Sequence, residues 1–285
     1  MAVREVYAGA MHENGRKART ESEWPRALEE IRSAPWQLEL AFQPIFDVRR
    51  TVVWAYEALA RFAPPPVEGP EAWFAAAGRH HVAGALESHA VRRALSSLPL
   101  LPSSARLAVN VTPRALVLPE VMEAFREPGD LERVVVELTE QDAITDYGPI
   151  REAVEGVRGA GALIAVDDVC SGHSGLRNVV ELEPDFVKID RPLVGRLGDG
   201  GRAAGVIQSV AQMCERIGAV PIAEGVERPS ELRALVALGI SLVQGYLIGH
   251  PRVGPIVAPA TAHAARAEPE AAHSQGRRPR ARAHR

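Results

Sequence analysis

Cysteine is nearly absent: Cys170 and Cys214 are the only two in 285 residues. Two thiols make no disulfide framework, so a reducing cytoplasm is the expected setting. Long apolar runs are missing as well. No stretch approaches the roughly 18 residues that span a bilayer, and the opening MAVREVYAGAMHENGRKART carries no signal-peptide core. Positive charge is not in surplus. A formal charge of −3 excludes a protein built mainly to coat nucleic acid. From Arg252 onward seven arginines face two glutamates, a local +5, so Met1 to Pro251 carries −8. No aromatic residue interleaves the arginines of that tail, which reads as a solubilising segment rather than a nucleic-acid arm.

What is present is a globular composition, 46% hydrophobic and 24% charged. Residues 1–35 form a polar extension with room for one short helix, on which Trp24, Leu28 and Ile31 share a face. Residues 36–251 hold the material for a core. Residues 252–285 are Ala-, Arg- and Pro-rich and are expected to be disordered. No sensory or cyclase domain fits into the first 35 residues.

Short β-branched runs punctuate the middle zone: LELAFQPI, TVVWAYEAL, RLAVNV, RVVVEL, ALIAVDD, FVKID, AVPIAEG and SLVQG. Helical patterns lie between them. One runs from Arg202 to Ile217 with Val206, Val210, Met213 and Ile217 on one face and Gly218 as its stop. Another runs from Pro229 to Leu238, and Phe74 to Leu95 reads as a single amphipathic helix. Alternating strands and helices predict a parallel sheet, and eight strands in about 210 residues predict a closed (β/α)8 barrel. A doubly wound sheet is the competing architecture, weakened because no GxGxxG follows the first strand.

Most of these runs end on a polar residue: Glu57, Asn110, Glu137, Asp167-Asp168, Lys188 with Asp190, Glu224 and Gln244. In a parallel barrel the carboxyl ends of the strands open on one face, so these residues would converge. Five carboxylates with one lysine cannot all stay ionised unless protons or cations offset them. Oxygen ligands of this kind, with the Asn110 amide, suit Mg²⁺ or Mn²⁺. Two such ions could activate water against a phosphodiester. Singly, each residue has an ordinary reading: a helix N-terminal charge, a Lys188–Asp190 ion pair, turn chemistry at Asn110 before Thr112-Pro113. Several independent strands ending in suitable ligands do not. His80-His81 is discounted as a ligand pair, because consecutive helical residues point apart.

In order along the chain stand Phe42-Gln43-Pro44-Ile45, Glu57-Ala58-Leu59 with Arg61, Asn110-Val111-Thr112, Glu137-Leu138-Thr139-Glu140 and Asp167-Asp168. Val187-Lys188-Ile189-Asp190, Ala223-Glu224-Gly225-Val226-Glu227 and Gln244-Gly245-Tyr246 follow. Together they resemble the EAL domain of cyclic di-GMP phosphodiesterases, over about Leu38 to Pro251. The resemblance implies a TIM-like barrel with its first strand antiparallel, and hydrolysis of cyclic di-GMP to linear pGpG with Mg²⁺ or Mn²⁺ at a two-ion site. It implies a homodimer; the absence of a bilayer-length apolar run and the charge balance add the expectation of no membrane span and no nucleic-acid partner. By motif, Glu57, Asn110, Glu137, Asp167, Asp168 and Glu224 would be metal ligands, and Glu57, Lys188 and Glu224 would carry the chemistry. Gln43, Leu59, Arg61, Asp190 and Gln244 would face the substrate. Glu140 would tie down the loop after Asp168, and Glu227 would support Glu224. One stretch departs from the family pattern: Val169-Cys170-Ser171-Gly172-His173-Ser174-Gly175-Leu176, where only Gly172, Ser174 and Leu176 match. With the ligand set intact but this loop altered, a catalytically weak receptor or interaction module on the same fold is the alternative.

Overall fold

The computed structural model describes residues 18–34, 37–62, 68–139, 144–167, 169, 175–197 and 201–254. Each apolar run becomes a strand: β1 (Leu38–Asp47), β2 (Val52–Phe62), β3 (Arg106–Val111), β4 (Val134–Leu138), β5 (Leu163–Val166), β6 (Phe186–Ile189), β7 (Val220–Ala223) and β8 (Leu242–Gln244). Neighbours pair in the order β2-β3-β4-β5-β6-β7-β8-β1, and β1 pairs back onto β2, which closes the barrel. Strands β2 to β8 are mutually parallel, whereas β1 is antiparallel to both β2 and β8. The expected barrel with a reversed first strand is therefore the observed one. A ninth strand, β9 (Arg252–Val253), pairs with Ala41 and Phe42 of β1 beyond the point where β8 stops, and was not anticipated.

Strand alternation sorts the side chains into two sets. One set points outward and merges with the helices: Tyr56, Ala58 and Phe62 of β2, Leu107, Val109 and Val111 of β3, Val134, Val136 and Leu138 of β4 all belong to the large outer core. The other set points inward, and its lowest layer is a separate apolar plug of one residue per strand. Ile45, Ala55, Ala108, Val135, Ala165, Phe186, Ile222 and Leu242 fill the barrel axis, sealed below by Trp54 tilted against Phe186 at 4.7 Å. Side chains of this size close the barrel to water, so it has a floor rather than a pore.

Helices cover the outside: α1 (Trp24–Ser33), α2 (Pro70–Arg79), α3 (Ala83–Leu95), α4 (Pro113–Leu116), α5 (Pro119–Arg126), α6 (Gly148–Gly159), α7 (Gly175–Leu182), α8 (Arg191–Val194), α9 (Arg202–Ile217) and α10 (Pro229–Ala237). The expected helical face of α1 is buried: Trp24, Leu28 and Ile31 lie in the outer core. Trp24 meets Trp73 edge-on at 5.3 Å, Phe62 stacks on Trp73 at 4.4 Å, and the Arg19 guanidinium caps both indoles while pairing with Glu68. Each aromatic pair adds about 0.5–1.5 kcal/mol beyond its burial, and the cluster ties α1 to the end of β2.

Two helix readings need correction. Phe74 to Leu95 is not one helix, because the chain breaks at His80–Val82, where His81 takes φ 59°, and restarts as α3. In α9 the buried stripe is Ala203, Ile207, Val210 and Cys214, while Val206 and Ile217 are exposed. Both stripes run through Val210. The small side chains of Ala203 and Cys214 let the helix approach β7 closely, and that packing selects the stripe. No helix among the described residues is long and apolar enough to cross a membrane.

Candidate active site

One step above the plug, each strand presents its next inward residue, and here the chemistry changes abruptly. Two positions after Ala55, Ala108, Val135, Ala165, Phe186, Ile222 and Leu242 come Glu57, Asn110, Glu137, Asp167, Lys188, Glu224 and Gln244; on the reversed β1, Gln43 precedes Ile45 by two. Period-two alternation thus converts one apolar ring into one polar ring at the carboxyl ends of the strands. Residues 201 positions apart meet there: Gln244 Nε2 donates to Gln43 Oε1 at 3.2 Å.

Lys188 stands at the centre of the ring and is 1% exposed. Its Nζ lies 2.6 Å from Glu224 Oε1, 2.7 Å from Glu137 Oε2, 3.6 Å from Asp167 Oδ1 and 3.8 Å from Glu57 Oε1. Glu57 is the most heavily solvated by protein donors. Asn110 Nδ2 gives it a hydrogen bond at 2.7 Å and Gln244 Nε2 one at 2.5 Å. Gln43, which receives the other Gln244 contact, is itself anchored by donating to the Gly249 carbonyl at 3.1 Å.

One ammonium cannot balance four carboxylates. Burial pushes the Glu137 carboxyl up to about 8 despite the Lys188 charge, with Glu57 and Asp167 adding to the rise. Burial likewise drives Glu224 well above the usual carboxylate range. Glu57 goes the other way: its own desolvation is outweighed by Lys188 and by the Asn110 and Gln244 donors. Burial alone would strip the proton from Lys188, but Asp167, Glu137, Glu224 and Glu57 together hold it firmly on. The ring therefore carries an excess of negative charge that the chain itself neutralises only by retaining protons.

That excess is the test of whether a divalent cation fits. Every donor but Lys188 is an oxygen or an amide, and Glu137 Oε1 and Gln244 Oε1 are buried without a hydrogen-bond partner among the described residues. Hard cations take such oxygens, so the residues fit Mg²⁺ or Mn²⁺. No three His, Cys, Asp or Glu side chains among the described residues are already drawn up as a cation site; the Lys188 ammonium occupies the middle of the ring in their place.

The remaining expected residues fall around the rim. On β2, Leu59 and Arg61 continue the inward face above Glu57. Burial draws the half-buried Arg61 guanidinium down, while Glu57 and Tyr246 oppose that, which places all three at one mouth. Asp190, at the start of α8, is 5% exposed with Oδ1 without a hydrogen-bond partner among the described residues, and burial and the nearby Asp167 raise its carboxyl. Glu227 binds Arg191 at 2.6 Å, and the Arg191 stem lies where a side chain on Gly225 would have to go, with Cγ 2.2 Å from that Cβ position. Gly225 also needs φ 63°, so the turn behind Glu224 accepts only glycine and is braced through Arg191 by Glu227. Asp168, Glu140, Cys170 and the loop 170–174 lie outside the described residues, as does the tail from residue 255. The loop's two ends do meet: Gly175 packs so closely that a side chain there would strike the Val169 backbone at 2.4 Å.

One rim feature escaped the sequence reading. Tyr246, half exposed, stacks on His250 at 4.2 Å and makes a flat aromatic surface at the mouth. Nothing in the local sequence pairs these two side chains; the turn between them does.

Compared with known proteins, residues 24–251 match the family model described as EAL domain. NbdA, a cyclic di-GMP phosphodiesterase of Pseudomonas aeruginosa, is 30% identical over 236 residues, covering 78% of this chain and 30% of its own length. PdeN of Escherichia coli, a probable cyclic di-GMP phosphodiesterase, is 28% identical over 227 residues, covering 75% of this chain and 43% of its own. The chain thus spans less than half the length of these curated relatives. Among solved structures, a manganese and cyclic di-GMP complex of Klebsiella pneumoniae BlrP1 superposes with a TM-score of 0.68. It is 29% identical and covers 76% of this chain and 56% of that one.

Proposed function

This chain belongs to the EAL domain family, and from that premise we propose that it is a metal-dependent phosphodiesterase hydrolysing cyclic di-GMP to linear pGpG. The observation that carries the reading is the polar ring itself, with Glu57, Asn110, Glu137, Asp167 and Glu224 facing one another over a closed apolar floor. Those five, with Asp168, are the residues that would hold Mg²⁺ or Mn²⁺. A bound pair of such ions would polarise the scissile phosphodiester and acidify the attacking water. Each of the chain's own groups then has a task its surroundings suit. Asn110 and Gln244 aim the Glu57 carboxylate by donating to its two oxygens. Lys188, held protonated, offers positive charge to the phosphate oxygens as negative charge grows on them. Arg61 presents a planar cationic fork at the rim for a second phosphate, and the Tyr246–His250 surface offers a purine base a stacking partner.

Purified protein with Mn²⁺ or Mg²⁺ will convert cyclic di-GMP to pGpG, read by liquid chromatography with the product identified by mass. Absence of turnover with either ion, alongside calorimetric binding of the intact dinucleotide, would move the chain to the receptor reading.

The same proposal includes a homodimer. α7 buries Gly175, Asn178, Val179 and Leu182 but leaves Leu176 60% and Val180 75% exposed, directly after the loop that follows Asp167. Two large apolar side chains one turn apart on an exposed face suit a self-complementary contact. Its fold does not depend on them, because Tyr147 anchors the inner face through Asn178 at 2.5 Å. Val180→Glu is expected to shift the mass measured by light scattering from dimer to monomer at unchanged circular dichroism. A wild type that elutes as a monomer at tens of micromolar removes the dimer.

A further inference from the structure

α3 carries a carboxylate that no part of the polar ring uses. Glu87 is 5% exposed, lies on the outer side of the barrel, and makes no ion pair among the described residues; burial pushes its carboxyl up to about 7. A lone acid in such a place is costly, and an apolar residue would pack the same helix without that cost. Its contact is specific. The Thr112 hydroxyl donates to Glu87 Oε1 at 3.1 Å, and the Thr112 backbone also hydrogen-bonds to the carboxylate. The same hydroxyl accepts from the Ala115 N–H at 3.2 Å, so Thr112 is the N-cap of α4, with Pro113 at its first turn. Donation to Glu87 and acceptance from Ala115 use the hydroxyl in both senses and leave it one orientation.

Thr112 begins the turn two residues after Asn110, and Asn110 is the group that donates to Glu57. On its far side the same turn is stitched to β4, where the Thr139 N–H donates to the Val111 carbonyl at 3.2 Å and Asn110 sits in register with Glu137. We infer that Glu87 is a positioning residue: through Thr112 it fixes the β3–α4 turn from behind the barrel wall and thereby sets where Asn110 meets Glu57. This rests on the proposed phosphodiesterase reading for its kinetic consequence, though not for its structural one.

The test uses the full chain and four variants: E87A, E87Q, T112V and the E87A/T112V double. Gln keeps an oxygen that accepts the Thr112 hydroxyl but gives up the second carboxylate oxygen as an acceptor, so E87Q should stay within threefold of wild type in kcat, well short of the loss in E87A. E87A and T112V should each lower kcat and the Mn²⁺ affinity measured by calorimetry by about tenfold, the size expected when a group supporting a ligand is lost. The KM for cyclic di-GMP should stay within twofold, and the double variant should be no worse than the worse single one. Equal damage by E87Q and E87A, or additive losses in the double variant, would overturn the assignment. Hydrogen exchange on the metal-free protein decides the matter even if the wild type proves inactive. Protection at residues 110–116 should fall in E87A and T112V and return in E87Q, and unchanged exchange there would overturn the proposal. An inactive wild type with intact Glu87-dependent protection would instead count against the phosphodiesterase reading alone.

Discussion

Glu57→Gln will lower the rate of pGpG formation by at least about a hundredfold, the scale seen when one preorganised charged or donor group leaves an active site. Both oxygens of Glu57 accept, one from Asn110 and one from Gln244, while Lys188 lies 3.8 Å away. A glutamine of the same volume replaces one of those oxygens by an NH₂ group, which then faces a donor. One of the two amides must turn away, and the arrangement that aims this group is lost along with its charge. The charge matters separately. Among the buried glutamates of the ring, Glu57 is the one held below the usual carboxylate range, whereas Glu137 and Glu224 retain protons more readily. Among the ring's glutamates Glu57 is therefore the one that holds its charge most readily before any cation arrives. Glu57→Asp keeps the charge but withdraws it by one methylene from Asn110 and Gln244, and should recover part of the loss through tighter Mn²⁺ binding rather than faster chemistry. Steady-state kinetics with calorimetry of Mn²⁺ reads both. Retention of more than a tenth of wild-type turnover in Glu57→Gln would mean that the ring is not the catalytic centre.

Much of this ring was legible in the sequence because two regularities coincide. Strand alternation fixes which residues share a face, and a parallel barrel brings the carboxyl ends of its strands to one mouth. A glutamate two residues beyond Ala55 or Val135 is therefore located by counting. What counting does not supply is depth and partnership. Lys188 reads in sequence as one residue of a Val-Lys-Ile-Asp run, and only closure of the barrel puts it within 4 Å of four carboxylates. Glu87 sits in a helix whose charged residues mostly face solvent, so periodicity alone offers no reason to bury it. The rotated stripe of α9 has a similar origin. A helix rich in alanine and valine offers more than one apolar stripe, and the neighbours choose between them. His80–Val82 interrupts a pattern that is amphipathic on both sides, with no proline to announce the break. β9 has two residues and no pattern at all; it exists because β8 is too short to pair with the whole of β1.

The lysine supplies the second large effect. In metal-free protein, Lys188→Met should cost about 3–5 kcal/mol of stability near neutral pH, as expected when one partner of a buried ionic cluster is deleted. Methionine fills nearly the same volume, so the loss is electrostatic rather than a cavity. Its dependence on pH follows from the retained protons. Glu137 has a folded-state value of about 8 against 4.5 in the unfolded chain, and Glu224 is raised in the same direction. A carboxyl raised on folding makes the folded state bind the extra proton, so its stabilising contribution is complete below about 4.5 and drains away as pH rises towards 8. The slope is about 1.4 kcal/mol per pH unit for each such proton. Lys188 stays charged across that window, so in the wild type it limits the decline. Without it the carboxyls rise further, and the decline with pH steepens. Urea unfolding of chelator-treated wild type and Lys188→Met at pH 5.5 and pH 8 should thus show a gap that widens at the higher pH. Saturating Mn²⁺ should close part of that gap and release protons as it binds, because the cation takes over the neutralisation that the protons provided. If metal-free stability is flat between pH 5.5 and 8, or if Mn²⁺ leaves it unmoved, the four carboxylates do not share their charge in the way the distances imply.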